Sequence, residues 1–264
     1  MCSPGGTPQP APTGQTGAVP DTADRFRRAR RDSGLAVLEG FHAAKHALRF
    51  GAEISAAITP DRAAILALAA DLAPDVAPAL ASLMRDVSPD EFARAAPAPP
   101  PTPLLALARR PSVDTTRIFR DPAPRLVVFL DHPNHLGNLG AVVRVAAAAG
   151  AAGVITTGDR DPWHPTALRG SAGLHFAVPV ARVARLEPGD RPLIAVDPAG
   201  EPLWEVEIPP RSVLAFGGER HGLGGDLLAA ARLRVTIPMR PGVSSLNLAT
   251  AVAVLLYSLG RRGT

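Results

Sequence analysis

The 264-residue sequence predicts an α/β protein, a small amino-terminal α/β domain followed by a larger domain on a mostly parallel sheet covered on both faces. Three observations lead there. From Arg125 onward, short apolar runs alternate with helical patterns, the rhythm of strands joined by crossover helices. Apolar residues make up 46% of the chain, as in a globular protein. A polar segment over 109–123 separates this regular part from a shorter, less regular one.

Taken in order, residues 1–20 are rich in Pro, Gly, Thr and Gln and read as a disordered tail. Arg25, Arg27, Arg28, Arg30 and Arg31 then surround Phe26; a solvated helix face and a polyanion-binding surface both account for them. Leu35–Leu38 reads as a strand, and Phe41–Phe50 as a helix stopped by Gly51. His42 and His46 lie four apart, as helical zinc ligands do, but no third ligand accompanies them and no metal site is expected. Ile54–Ile58 is a second strand, Asp61–Leu72 an Ala-Leu helix, and Ser88 a helix N-cap. The Pro run Ala96–Pro103 invites a domain boundary, yet the strand Leu104–Ala108 follows at once, so the run is a loop inside the small domain. The expected divisions are a tail (1–20), a small α/β domain (21–110), a linker (111–123) and a larger domain (124–264). In the larger domain the predicted strands are Leu126–Leu130, Gly153–Thr157, Phe176–Val180, Leu193–Val196, Val213–Phe216 and Leu233–Ile237, with a last helix over Leu246–Leu259.

Composition narrows the function classes. No apolar stretch reaches the roughly 20 residues of a membrane span, and the first residues lack the charged and apolar regions of a signal peptide. A single Cys excludes an internal disulfide and fits a cytoplasmic location. The net charge is +4, and Lys45 is the only lysine, so the positive charge is almost wholly arginine. Arginine suits bidentate phosphate recognition and base stacking; a GC-rich genome produces the same bias, and composition leaves both open.

Four stretches carry candidate chemistry. Residues 130–150 run from a strand through a Gly-punctuated loop into an Ala/Val helix, where Arg144 reads as a buried guanidinium in need of a partner. Gly137 and Gly140 are three apart, so the dinucleotide pattern G-x-G-x-x-G is absent. Residues 214–225 run from a strand into Gly217 and Gly218, where a ligand can approach the backbone closely, with Glu219 at the strand's end. Residues 235–260 place Ser244 and Ser245 before a long apolar helix, where Ser245 reads as an N-cap and Asn247 as part of the first turn. Residues 168–183 form a helix end, a Gly-rich turn and a strand.

Jointly these stretches resemble the SpoU (TrmH) branch of the SPOUT RNA methyltransferases. Asn138, Gly140, Arg144 and Gly150 match its first motif; Phe216, Gly217, Glu219, Gly222 and Leu223 its second; Ile237–Met239 and Ser245–Asn247 its third. The Ser171–Gly173 turn and the Val178-Pro179-Val180 that follows are also similar, and the resemblance covers about 125–260. Residues 30–54 and 104–111 resemble the ribosomal-protein-like RNA-binding domain that many members carry. Departures are Val145 for a usual Thr, His135-Leu136 for an acidic-Pro pair, Gly218 for Asn, Arg220-His221 for Gly and a polar residue, and Ala249 for Ser.

The resemblance implies methyl transfer from S-adenosyl-L-methionine to a ribose 2′-hydroxyl of structured RNA, ribosomal rather than transfer RNA. It gives Arg144 the activation of the hydroxyl or the clamping of a phosphate. Asn138 orients Arg144 or the ribose, Glu219 fixes the Arg or its loop, and Ser245 and Asn247 touch substrate or hold the site closed. The adenosine falls on Gly217, Gly218, Ile237, Met239 and Leu246, and RNA on Arg27, Arg28, Arg30 and Arg31. It also implies a carboxyl-terminal trefoil knot, a homodimer and no metal. A transfer-RNA substrate, or a noncatalytic RNA-binding protein retaining the fold, is the alternative.

Overall fold

The structure is a computed structural model that describes residues 21–218 and 221–260. The expected tail, 1–20, and Glu219 and Arg220 lie outside the described residues.

Two sheets organise the molecule. The first has the order β1-β4-β2-β3, from β1 (Leu35–Glu39), β2 (Ile54–Thr59), β3 (Met84–Asp86) and β4 (Leu105–Arg109). Strand β4 pairs antiparallel with β1 and β2, while β2 and β3 run parallel. Phe26 of α1 (Thr22–Ala29) and Phe92 of α5 (Pro89–Ala95) share one apolar cluster with Val37, Ile58 and Leu105. Phe41 of α2 (Phe41–Arg49), Ile65 of α3 (Arg62–Leu72) and Leu80 of α4 (Ala77–Leu83) pack with Leu38 and Ala106 in another. Two local signals act as read, with Ser88 capping α5 through its side chain and Gly51 following α2 in the left-handed conformation, and Asp61, read as the first residue of its helix, caps α3. Helix α4 and strand β3 carry no signal that the sequence reading used.

The second sheet is wholly parallel, in the order β10-β8-β9-β5-β6-β7. Its strands are β5 (Val127–Asp131), β6 (Gly153–Thr156), β7 (Val180–Arg182), β8 (Leu193–Pro202), β9 (Val213–Gly217) and β10 (Leu233–Thr236). Alternate residues face opposite cores, as a strand's period of two requires. Val128, Leu130, Leu214 and Phe216 pack with α7 (Leu136–Ala148), α8 (Pro165–Gly170) and α10 (Leu248–Gly260). Val127, Phe129, Val213 and Ala215 pack with α6 (Thr115–Arg120) and α9 (Gly225–Ala230). The first of these clusters continues into the amino-terminal sheet through Ala43, Leu38 and Leu104.

Three expectations change. The predicted strand Phe176–Val180 is instead a 3₁₀ turn, Leu174–Phe176, followed after three residues by β7, which starts at Val180. Buried His175 fixes that turn, its Nε2 2.8 Å from the Pro162 carbonyl and its Nδ1 2.7 Å from Ser171 Oγ. Strand β8 runs six residues past the predicted Val196, because β10 pairs with its far end after a register shift. The polar segment 111–123, read as a linker, contains α6, whose Ile118 and Phe119 are buried in the core. Two guanidiniums answer the carbonyls at its carboxyl end: Arg191 donates to Ile118, Phe119 and Asp121, and Arg211 to Phe119 and Asp121.

The halves meet over polar as well as apolar contacts. Buried Glu39 accepts from Arg30 of the amino-terminal half at 2.6 Å, and its second oxygen is ion-paired, without a hydrogen bond, to Arg169 of the other half at 2.9 Å. Arg110 pairs with Asp161 at 2.8 Å, and His46 Nδ1 lies 2.7 Å from the Ala172 carbonyl. The Gly173 backbone lies against that of Ala43 where any Cβ would collide. Among the described residues no helix is long and apolar enough to cross a membrane.

Candidate active site

Beyond the carboxyl ends of β5, β9 and β10, and beside the middle of β8, lies a cleft of about 590 Å³. Ends of parallel strands on either side of a reversal in strand order are where open α/β sheets hold ligands, and the volume is that of a small-molecule site. Gly217, Gly218, Ile237, Met239 and Leu246, the five residues expected around an adenosine, all line it. Val196, Phe216 and Leu248 complete an apolar wall, and Ser245, Asn247, Asn138 and His135 bring polar groups.

The glycines also shape the loops themselves. A Cβ on Gly217 would enter the backbone of Gly222 and Leu223, because the loop doubles back on itself, with Gly222 N donating to Gly218 O at 3.0 Å. Gly218 is pressed against the carbonyl of His132. The pair therefore serves the return of its own loop. Gly140 serves packing: a side chain there would strike the Ala167 carbonyl and Gly170, so it lets α7 and α8 touch backbone to backbone. Asp131, unremarked in the sequence, ties the loops together. Its carboxylate accepts from Thr157 Oγ1 at 2.9 Å and from Gly224 N at 3.1 Å, and it meets His132 Nδ1 at 2.8 Å.

The first and third motifs meet at Asn138 and Asn247, where Asn247 Nδ2 donates to Asn138 Oδ1 at 3.1 Å. Asn247 also caps α10, its Oδ1 accepting from Ala249 N at 2.9 Å. The cap expected of Ser245 thus belongs to Asn247, and the helix begins at Leu248, two residues later than predicted. Ser245 is left exposed on the cleft wall.

Arg144 overturns the expectation of burial. It is exposed and is not among the residues that line the cleft. Six residues beyond Asn138, at 100° per residue, it points about 120° away from it around α7. Its charge instead reaches His42 of α2, whose pKa is lowered by partial burial and by Lys45 and Arg144. Of the four arginines expected to face RNA, Arg27, Arg28 and Arg31 are exposed, while Arg30 is turned inward onto Glu39 and the Ala95 carbonyl.

Sequence reasoning missed Asp197, a carboxylate on the cleft wall beside Gly217. Val196 pairs with Phe216 in register, which brings the two following residues to the same sheet edge. The available signal was an acidic residue directly after the predicted strand 193–196. Among the described residues no group of three or more His, Cys, Asp or Glu side chains is placed to hold a metal.

Comparisons with known proteins agree with this geometry. The SpoU rRNA Methylase family model matches residues 125–257. A tRNA/rRNA methyltransferase of Synechocystis sp., itself uncharacterised, is 36% identical over 157 residues, 55% of this chain and 57% of that protein. The 23S rRNA (adenosine(1067)-2′-O)-methyltransferase of Streptomyces laurentii is 33% identical over 151 residues, 52% of this chain and 54% of that protein. The chain thus spans about half the length of these curated relatives. The crystal structure of an RNA 2′-O ribose methyltransferase is 28% identical, with a TM-score of 0.71, over 92% of this chain and 98% of that one. That of the SpoU methyltransferase AviRb from Streptomyces viridochromogenes, in complex with AdoMet, reaches a TM-score of 0.75 over 90% of this chain and 97% of that one, and at 23% identity it shows the fold alone. With its cleft built from the motif residues and the family model matched across half its length, the chain belongs to the SpoU rRNA methylase family.

Proposed function

We propose that the protein transfers a methyl group from S-adenosyl-L-methionine to a ribose 2′-hydroxyl of structured RNA, and that the RNA is ribosomal. The observation that carries the reading is the single cleft gathering Gly217, Gly218, Ile237, Met239 and Leu246 with Asn138, Ser245 and Asn247. An apolar wall with exposed main chain suits the faces and edges of an adenine, and Asp197 supplies negative charge for a cationic ligand. The cofactor, when bound, supplies a methyl carbon made electrophilic by its sulfonium. The chain's own contribution is alignment and management of one proton. Asn247, held between the α10 amino terminus and Asn138, fixes the cleft wall; Ser245 offers a hydroxyl to the incoming ribose. Arg144, with its planar fork of donors, grips the phosphate beside the target ribose and aligns the 2′-oxygen.

Because Arg144 faces away from the cleft of its own chain, the same reading includes a homodimer in which it meets the partner's cleft. Exposed Val243, Leu246 and Tyr257, on and before α10, suit an apolar part of such an interface. The amino-terminal half, with Arg27, Arg28 and Arg31 outward, is the RNA-binding domain, and the reading includes the family's carboxyl-terminal trefoil knot. Ribosomal RNA is favoured by the names of the Streptomyces laurentii relative and of the 23S rRNA (uridine(2479)-2′-O)-methyltransferase of Streptomyces viridochromogenes, which is 31% identical over 179 residues. Transfer of radiolabelled methyl to deproteinised ribosomal RNA and to transfer RNA, followed by nucleoside analysis, tests the proposal. Label in a 2′-O-methylnucleoside from ribosomal RNA is expected; label confined to transfer RNA overturns the substrate, and label on bases only overturns the reaction.

A further inference from the structure

The seam between the two halves carries an arrangement that the motifs do not explain. Helices α2 and α7 both rest on the turn Leu174–Phe176. His46 and the backbone of Ala43 fix α2 there, against Ala172 and Gly173. That shared seat puts His42, on the outer side of α2, and Arg144, on the outer side of α7, at one stretch of surface, both exposed. Half-buried Lys45 has its Nζ over the Phe41 ring, 5.8 Å from the centroid, near the outer limit of a cation–π contact. Neighbouring cations are committed elsewhere: Arg49 is bidentate to Asp75, and Arg30 and Arg169 share Glu39. Partial burial, and then the positive charges of Lys45 and Arg144, lower the His42 pKa, which favours the neutral imidazole.

We propose that Arg144, Lys45 and His42 form one phosphate-gripping surface spanning both halves, which holds the RNA backbone next to the ribose to be methylated. The three groups offer complementary chemistry: a planar fork of donors, a compact point charge and a neutral N–H. On this account the amino-terminal half takes part in the reaction site itself through α2, in addition to any recognition by the arginines of α1. The rigid seat at Ala172–Phe176 sets the spacing between the two phosphate contacts. The inference rests on the RNA methyltransferase reading, from which it is separable by experiment.

Filter binding of the full chain to deproteinised ribosomal RNA over a KCl series provides the test, with thermal melting to verify each variant's fold. Every phosphate neutralised by a side chain contributes about 0.7–0.9 to the slope of log affinity against log salt. Lys45→Gln and Arg144→Gln are each expected to lower that slope by about one phosphate's worth and the double variant by about two, as the loss of one or two contacts requires. Lys45→Arg restores the slope, and Arg49→Gln, on the same helix but paired with Asp75, leaves it unchanged. His42→Ala weakens binding without altering the slope, because a neutral imidazole releases no counterion. Wild-type slope and affinity in both Lys45→Gln and Arg144→Gln overturn the surface. Methyl transfer is assayed in parallel: a wild-type protein that shows the slope pattern but transfers no methyl overturns the enzymatic reading and leaves the surface standing.

Discussion

At the scale of single residues, His175 shows how a side chain in the family's Gly-rich turn serves structure. Fully enclosed beside Trp163, it has its pKa lowered to about 4, chiefly by burial. Its Nε2–H donates to the Pro162 carbonyl, which leaves Nδ1 to accept from Ser171. An unfolded chain protonates this histidine below about pH 6.5, whereas the folded one resists until about pH 4. The unfolded state therefore binds more protons in that window, and stability falls as pH drops through it. We expect urea unfolding of the wild type, relative to His175→Gln, to lose up to about 3 kcal/mol between neutral pH and pH 4; parallel pH profiles for the two proteins would contradict this. Arg144 teaches a complementary lesson. Its Ala and Val neighbours made it look buried, but a helix that is apolar on two sides can still present its remaining side to solvent.

Among the elements, the contact of α7 with α8 governs the geometry of the first motif. Gly140 faces the Ala167 carbonyl with no room for a methyl, and neither partner is a side chain that could rotate away. Gly140→Ala is expected to cost roughly 2–3 kcal/mol, in the range of overpacked cores, and to shift Asn138 relative to Asn247. A thermal melt unchanged from wild type would refute the packing role. Much at this scale was legible beforehand. The strands β5, β6, β9 and β10 fall within a residue or so of their apolar runs, since a buried parallel strand reads as a continuous apolar stretch. Other elements depend on distant partners. Strand β8 is extended by β10 through a register shift, α6 is anchored by Arg191 and Arg211 some 70 to 90 residues away, and the turn 174–176 is set by His175. No local pattern carries those contacts. The motif residues were legible through the family resemblance, and the cleft lining brings together Asn138, Gly217, Ile237, Met239, Ser245 and Asn247 among them, while Arg144 lies outside it.

For the whole molecule, the seam between the sheets decides whether the amino-terminal half is a tethered module or part of the working site. Glu39, about 4% exposed, is shared by Arg30 and Arg169 from the two halves. Glu39→Gln leaves both guanidiniums without a carboxylate, and removal of one partner from a buried pair costs roughly 3 kcal/mol. Calorimetry should show a lower melting temperature and a transition that separates into two; a single transition at the wild-type temperature would mean that the seam contributes nothing. The same architecture places Arg144 outside the cleft that its motif partners line, which is why the proposed site needs a second copy of the chain. The most direct test of the central claim is single-turnover transfer of labelled methyl from S-adenosyl-L-methionine to deproteinised ribosomal RNA by the wild type and by Arg144→Ala. The account predicts a labelled 2′-O-methylnucleoside from the wild type and none from the variant, with cofactor affinity of the two within a few-fold. Normal transfer by Arg144→Ala, or no 2′-O-methylnucleoside from the wild type, would contradict it.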